Sequence, residues 1–176
     1  MKRTATLRFV ARDIIPALMM AIALGLMIVP AGVTLHAEDR SPVIGVPSND
    51  AEMNAAIEKA RVSLATFWAS YASPKSDEHD HALKVRFPTS GSGSEHIWVA
   101  NVKKLADGTF AGHLANQPLD LAGKNEGDPV EFKAADISDW MFMRKDKIVG
   151  GETLRAMFKS MPKEDADALR AQMETP

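Results

Sequence analysis

Ala82-Leu83-Lys84-Val85-Arg86-Phe87-Pro88 decides the fold, because Leu83, Val85 and Phe87 alternate with Lys84 and Arg86. Successive side chains of an extended chain point to opposite faces, so a period of two predicts a half-buried strand. A second strand is predicted over residues 97–105, followed by Asp107-Gly108, a strong hairpin dipeptide. Residues 109–116 return as the third strand and residues 130–133 form a fourth. Residues 140–144 and 147–149 suggest a last hairpin around Lys145-Asp146. A two-residue turn at Asp107-Gly108 sets Ala106 opposite Thr109 and His113 opposite Val102.

Upstream of these strands the period changes. Asn49 offers an N-cap with Glu52 three residues on. Met53, Ile57, Ala60, Leu64, Phe67 and Tyr71 then recur at helical spacing, with Glu52, Glu58, Lys59 and Arg61 off that stripe. This predicts an amphipathic helix with one buried face, and Pro74 lies beyond its end. Downstream, Thr153 can cap a helix carrying Leu154, Met157, Phe158 and Met161, and Pro162 opens a short polar helix. The fold class is therefore α+β: an N-terminal helix, a four- to five-stranded mainly antiparallel sheet, and C-terminal helices that close the sheet or cover an edge.

The first 37 residues belong to a different problem. Lys2, Arg3, Arg8 and Arg12, opposed by Asp13 alone, precede an uncharged run over residues 14–35. A positive start followed by an apolar stretch is an export signal, and Leu35-His36-Ala37 supplies a cleavage site. As a helix, the run would span about 33 Å, so an uncleaved anchor is the alternative. Either way the chain divides into residues 1–37, a linker over residues 38–48, and one domain over residues 49–176, placed in the periplasm or cell envelope, with secretion as a further destination. Loss of four basic residues and one acid would take the formal charge from −2 to −5. That balance argues against nucleic acid and against a membrane contact other than through the N-terminal segment. The sequence holds no cysteine, which excludes disulfides and thiol chemistry.

Five blocks recur in order: Glu95-His96-Ile97-Trp98-Val99; Gly112, Leu114, Asn116 and Pro118; Gly127, Asp128 and Val130; Asp136-Ile137-Ser138-Asp139-Trp140-Met141-Phe142; and Gly150-Gly151 with Thr153-Leu154-Arg155. Together they resemble the YegJ-like bacterial proteins, an uncharacterised family whose members are often predicted to be exported. The likeness covers roughly residues 82–157. The resemblance supports the domain limits and implies no catalytic residue, since the family has no established reaction.

Candidate chemistry is sparse. His96, Trp98, Asn116, Asp139 and Trp140 mark the candidate binding surface for an unidentified protein or small-molecule ligand, while the two tryptophans read more readily as core. Glu95-His96 with Asp128, Asp136 or Asp139 has the residue types of a general base and its orienting carboxylate; the plainer reading makes the aspartates turn caps. Gly151, Thr153 and Arg155 outline an anion site at a helix start, against which Glu152 counts. His79 and His81, in Asp77-Glu78-His79-Asp80-His81, are the weak metal alternative. His96 and His113 are set roughly 20 Å apart by the hairpin register, too far to share a metal. No cofactor is implied. The leading functional expectation is a non-enzymatic binding domain of the envelope. An envelope hydrolase or metal-dependent enzyme built on His96, and an inhibitory or protective partner of a secreted protein, are the alternatives.

Overall fold

The computed structural model describes residues 6–10, 43–47, 50–91 and 93–175, and for the first two stretches the backbone alone. The apolar run of residues 14–35 and the cleavage site lie outside the described residues. Among the described residues, no helix is long and apolar enough to cross a membrane.

Eight strands share one sheet: β1 (Thr6–Val10), β2 (Val43–Pro47), β3 (Glu78–Pro88), β4 (Ser94–Lys104), β5 (Phe110–Leu114), β6 (Pro129–Phe132), β7 (Ile137–Arg144) and β8 (Lys147–Gly150). Six of them form an antiparallel sheet in the order β6-β5-β4-β3-β7-β8. The α+β class stands, with more strands than the four or five expected. β2 falls inside the stretch read as a linker. It pairs with β1, which in turn lies parallel to the start of β4 through Leu7–Ser94 and Arg8–Glu95.

The N-terminal helix is two helices, α1 (Ala51–Val62) and α2 (Leu64–Ala72), broken at Ser63. Asp50 caps α1, its carboxylate accepting the Met53 N–H at 2.8 Å; Asn49 lies outside the described residues. The stripe read from the sequence is the buried one: Met53, Ile57, Ala60 and Phe67 are buried, and Leu64 and Tyr71 half-buried.

Strand alternation sorts the sheet's side chains onto two faces. Leu83, Val85, Ile97, Val99, Trp140 and Phe142 pack against Ala60 and Phe67 of the N-terminal helices. Ala82, Trp98 and Met141 point the other way, against Leu154 of α3 (Glu152–Ala156) and Leu169 of α4 (Lys163–Gln172). The C-terminal helices thus cover the second face. The chain end covers an edge, where the Glu174 N–H donates to the Ile148 carbonyl at 2.8 Å. Full burial of each large apolar side chain contributes about 1.5–3 kcal/mol.

The β4–β5 turn has three residues, not two. Leu105 pairs with Thr109, and Gly108 sits at φ +87°, where a side chain is disfavoured. A bulge at Asn101 (φ +53°) shifts the register again, so His113 faces Ala100 rather than Val102.

Where β8 ends, α1 takes over the edge of β7. Arg61 donates from Nε to the Ile137 carbonyl (3.0 Å) and from Nη2 to the Ala135 carbonyl (3.1 Å), and the Trp140 indole donates to the Ala60 carbonyl (3.0 Å). Edge groups that β8 does not reach are satisfied in this way.

Candidate functional site

The five residues marked as a binding surface are all buried: His96 5%, Trp98 2%, Asn116 3%, Asp139 0% and Trp140 4% exposed. Four of them hold elements together rather than face solvent. The Asn116 side-chain oxygen accepts the Trp98 N–H at 2.9 Å, closing the β4 edge just past the end of β5. Trp140 fastens the sheet to α1. Trp98 lies under Lys84, whose ammonium sits 4.9 Å from its ring centroid.

Asp139 anchors α3. Its carboxylate accepts the Glu152 N–H (3.2 Å), the Thr153 N–H (2.7 Å) and the Thr153 hydroxyl (2.6 Å). These are the donors that a helix start leaves unpaired. The anion site expected at Gly151, Thr153 and Arg155 is therefore occupied by the chain's own carboxylate. Arg155 turns away and donates to the Glu174 carbonyl at 2.7 Å. Gly150 makes the bend possible: at φ +84°, a Cβ there would lie 2.4 Å from the Trp140 carbonyl oxygen. Lys84, 1% exposed, donates to the Thr153 hydroxyl at 3.2 Å and completes a buried Lys84–Thr153–Asp139 chain. Burial pulls the Lys84 ammonium down to about 7 against the pull of Asp139. Burial pushes the Asp139 carboxyl up, opposed by Lys84 and by its Thr153 and Trp140 donors.

Glu95 does not orient His96. Adjacent strand residues face opposite ways, and the Glu95 carboxylate, 1% exposed, accepts the N–H groups of Leu119 (2.8 Å) and Asp120 (3.0 Å). It latches the loop after β5. Glu95→Gln should cost about 1.5–3 kcal/mol, since bonds to a charged acceptor are the stronger kind. Urea unfolding checks the loss, and hydrogen exchange should quicken at the Leu119 and Asp120 amides. Asp128 accepts the Asn125 N–H (2.8 Å) and Asp136 the Lys133 N–H (3.3 Å), so both are turn caps.

His96 is held by Ser138, a residue bulged out of the β3–β7 ladder. The Ser138 hydroxyl donates to the Lys84 carbonyl (3.2 Å) and lies 2.8 Å from His96 Nδ1. With its one proton so placed, Ser138 accepts from Nδ1–H, which fixes the neutral tautomer. Burial holds the ring down to about 3, and the positive Lys84, Arg86 and Arg61 push the same way.

The two other histidine candidates are also separated. His79 is exposed and pairs with Asp80 at 2.9 Å; His81 stacks on Phe142 with ring centroids 5.0 Å apart. Both belong to β3, which begins at Glu78, so the acidic stretch is strand rather than loop. Ser70 donates to Glu78 at 2.8 Å and lies 2.7 Å from His81 Nε2. With its proton on Glu78, Ser70 accepts from that ring nitrogen, the reverse of nucleophile activation. His113 is exposed and His96 buried, so that pair is not brought together either. Among the described residues, no group of three or more His, Asp or Glu is arranged to hold a metal.

Of the hollows that open to solvent, one of about 500 Å³ lies between α2 and Arg144, and one of about 300 Å³, on the second face of the sheet, holds the expected His96. Its lining comes from β4 (Ser94, His96), β3 (Arg86), β7 (Ser138) and α1 (Asn54, Ile57, Glu58, Arg61). Of the expected residues, only His96 belongs to it. The others were missed because they come from one helix and three strands, with no local motif joining them.

Comparison with known proteins agrees with the resemblance read from the sequence. The chain is 37% identical over 99 residues to YegJ of Escherichia coli (strain K12), an uncharacterized protein, covering 56% of this chain and 63% of that one. It is 32% identical over 133 residues to a Neisseria meningitidis serogroup B protein described as an ankyrin repeat protein, covering 71% of this chain and 52% of that one. It thus spans less than two thirds of either relative. No solved structure matches. A family profile fits residues 50–173, further than the motifs alone reach, and the chain belongs to that family, described as an uncharacterized protein conserved in bacteria (DUF2314).

Proposed function

We propose that this protein is an exported, non-enzymatic binding domain of the bacterial cell envelope, taking its ligand in the cleft between α1 and the Ser94 end of β4. The observation that carries the reading is the cleft itself, a polar concavity of about 300 Å³ on rigid elements, at the lower end of ligand-pocket sizes. The residues with catalytic chemistry nearby already have structural tasks. Glu95 latches a loop, Asp139 caps a helix, and a His96 ring held at about 3 is too weak a base at neutral pH. Export rests on the basic start and the uncharged run of residues 14–35. Cleavage after Ala37 would take β1 away with the leader, baring the β4 edge at Ser94 and Glu95 beside the mouth of the cleft.

Two measurements test this. N-terminal sequencing of the protein from fractionated cells should find Glu38 first, in the envelope fraction; an intact leader in the cytoplasm contradicts export. Native mass spectrometry of the protein purified from that fraction should find a bound species that is lost in Asn54→Trp, which fills the cleft from α1. A bound species that survives the substitution contradicts the cleft as its site.

A further inference from the structure

The charges around the cleft are unevenly committed. Each guanidinium nitrogen of Arg61 is engaged: Nε and Nη2 on the Ile137 and Ala135 carbonyls, and Nη1 on Glu58 at 2.8 Å. Arg86 is different. It reaches Asp136 only at a long 3.5 Å, and its side chain is 56% exposed. Beside it stand Ser94, the Ser138 hydroxyl and the neutral His96 ring. Among the lining residues Arg61 and Arg86 are positive and Glu58 is negative, and Asp136, paired with Arg86, brings these four charges to balance. His96 stays neutral there chiefly through burial, and Lys84, Arg86 and Arg61 each add to that by disfavouring its charged form.

From this we infer that the cleft receives the carboxylate of a small organic monoanion, bound by the Arg86 guanidinium with Ser94 and placed against the Ile57 side of α1. The inference rests on the binding role proposed above and gives its ligand a chemical class. The planar guanidinium matches a carboxylate in bidentate geometry, and the long Asp136 contact leaves that geometry open to a ligand. A phosphate dianion would bring a second negative charge to a space that Glu58 and Asp136 already flank. Ile57 on the helix wall and the small volume favour a short apolar tail on the acid.

The test is an amide-resolved NMR titration of the protein purified from its own cells, using sodium butyrate, the uncharged isostere butyramide, and inorganic phosphate as probes. Butyrate should give saturable shifts at the amides of Arg86, Ser94, His96 and Ser138. Butyramide should bind at least tenfold more weakly, as should butyrate to Arg86→Gln; phosphate should bind more weakly than butyrate. Glu58→Gln, on an exposed side chain, removes one of the two flanking acids and should tighten butyrate several-fold. Equal binding of butyrate and butyramide at these amides would overturn the carboxylate assignment while leaving the cleft as a binding site. Phosphate outcompeting butyrate, no shift at these amides, or no change in both variants would overturn it as well. The native-mass experiment decides the binding reading separately.

Discussion

Replacing Asp139 with Ala should destabilise the domain by about 3–5 kcal/mol, because it removes the carboxylate facing the buried Lys84 and the cap of a helix together. Asp139 is 0% exposed and Lys84 1%, so neither water nor a surface counterion can replace the lost carboxylate. The Glu152 and Thr153 N–H groups lose their acceptor at the same time. Urea unfolding followed by tryptophan fluorescence measures the loss, and hydrogen exchange should localise it to α3. Lys84→Met should cost less, since Asp139 keeps its Thr153 and Trp140 donors. The double variant should then cost less than the two separate losses combined, with a coupling of about 1–3 kcal/mol. An Asp139→Ala loss below about 1 kcal/mol would mean that the pair does not hold α3 as described.

The second large effect is acid sensitivity centred on His96. An exposed histidine in the unfolded chain titrates near 6.5, whereas the buried ring is held down to about 3. Between those values the unfolded chain binds the extra proton and the folded one does not. His96 therefore contributes stability that is fully present above pH 6.5 and lost as the pH falls toward 3. The size of that loss is on the order of 5 kcal/mol. His96→Gln keeps a polar group beside Ser138 and cannot titrate, so its stability should fall more shallowly across the same window. Carboxylates titrate in both proteins, and the difference between the two curves isolates His96. Parallel curves would contradict the buried neutral ring.

The sequence made the framework legible wherever one face of an element meets core and the other meets water. The Met53–Ile57–Ala60–Phe67 stripe and the Leu83–Val85–Phe87 alternation are of this kind. It was less informative wherever both faces are covered. Lys84, between Leu83 and Val85, reads as a solvent-facing residue, yet α3 lies over it and turns it into a buried charge. The acidic run at Glu78–His81 reads as loop because its partners on β7 are distant in the chain. The turn at Asp107-Gly108 was recognised, but its length depends on Gly108 adopting positive φ as a third loop residue, and the Asn101 bulge has no local mark. The site was hardest of all. The recognisable blocks supply Asn116, Asp139 and Trp140, which brace the fold from inside. Arg86 and Asn54, which open onto the cleft, lie outside every block.

Hydrogen–deuterium exchange of the purified protein, with and without a small-molecule extract of its own envelope, tests the central claim most directly. The account predicts added protection at the Ser94 end of β4, at Arg86, around Ser138 and along the first turns of α1, and no protection in Asn54→Trp. Protection confined to β5, β6 or α4, or unchanged by that substitution, would contradict the cleft as the place where this domain binds.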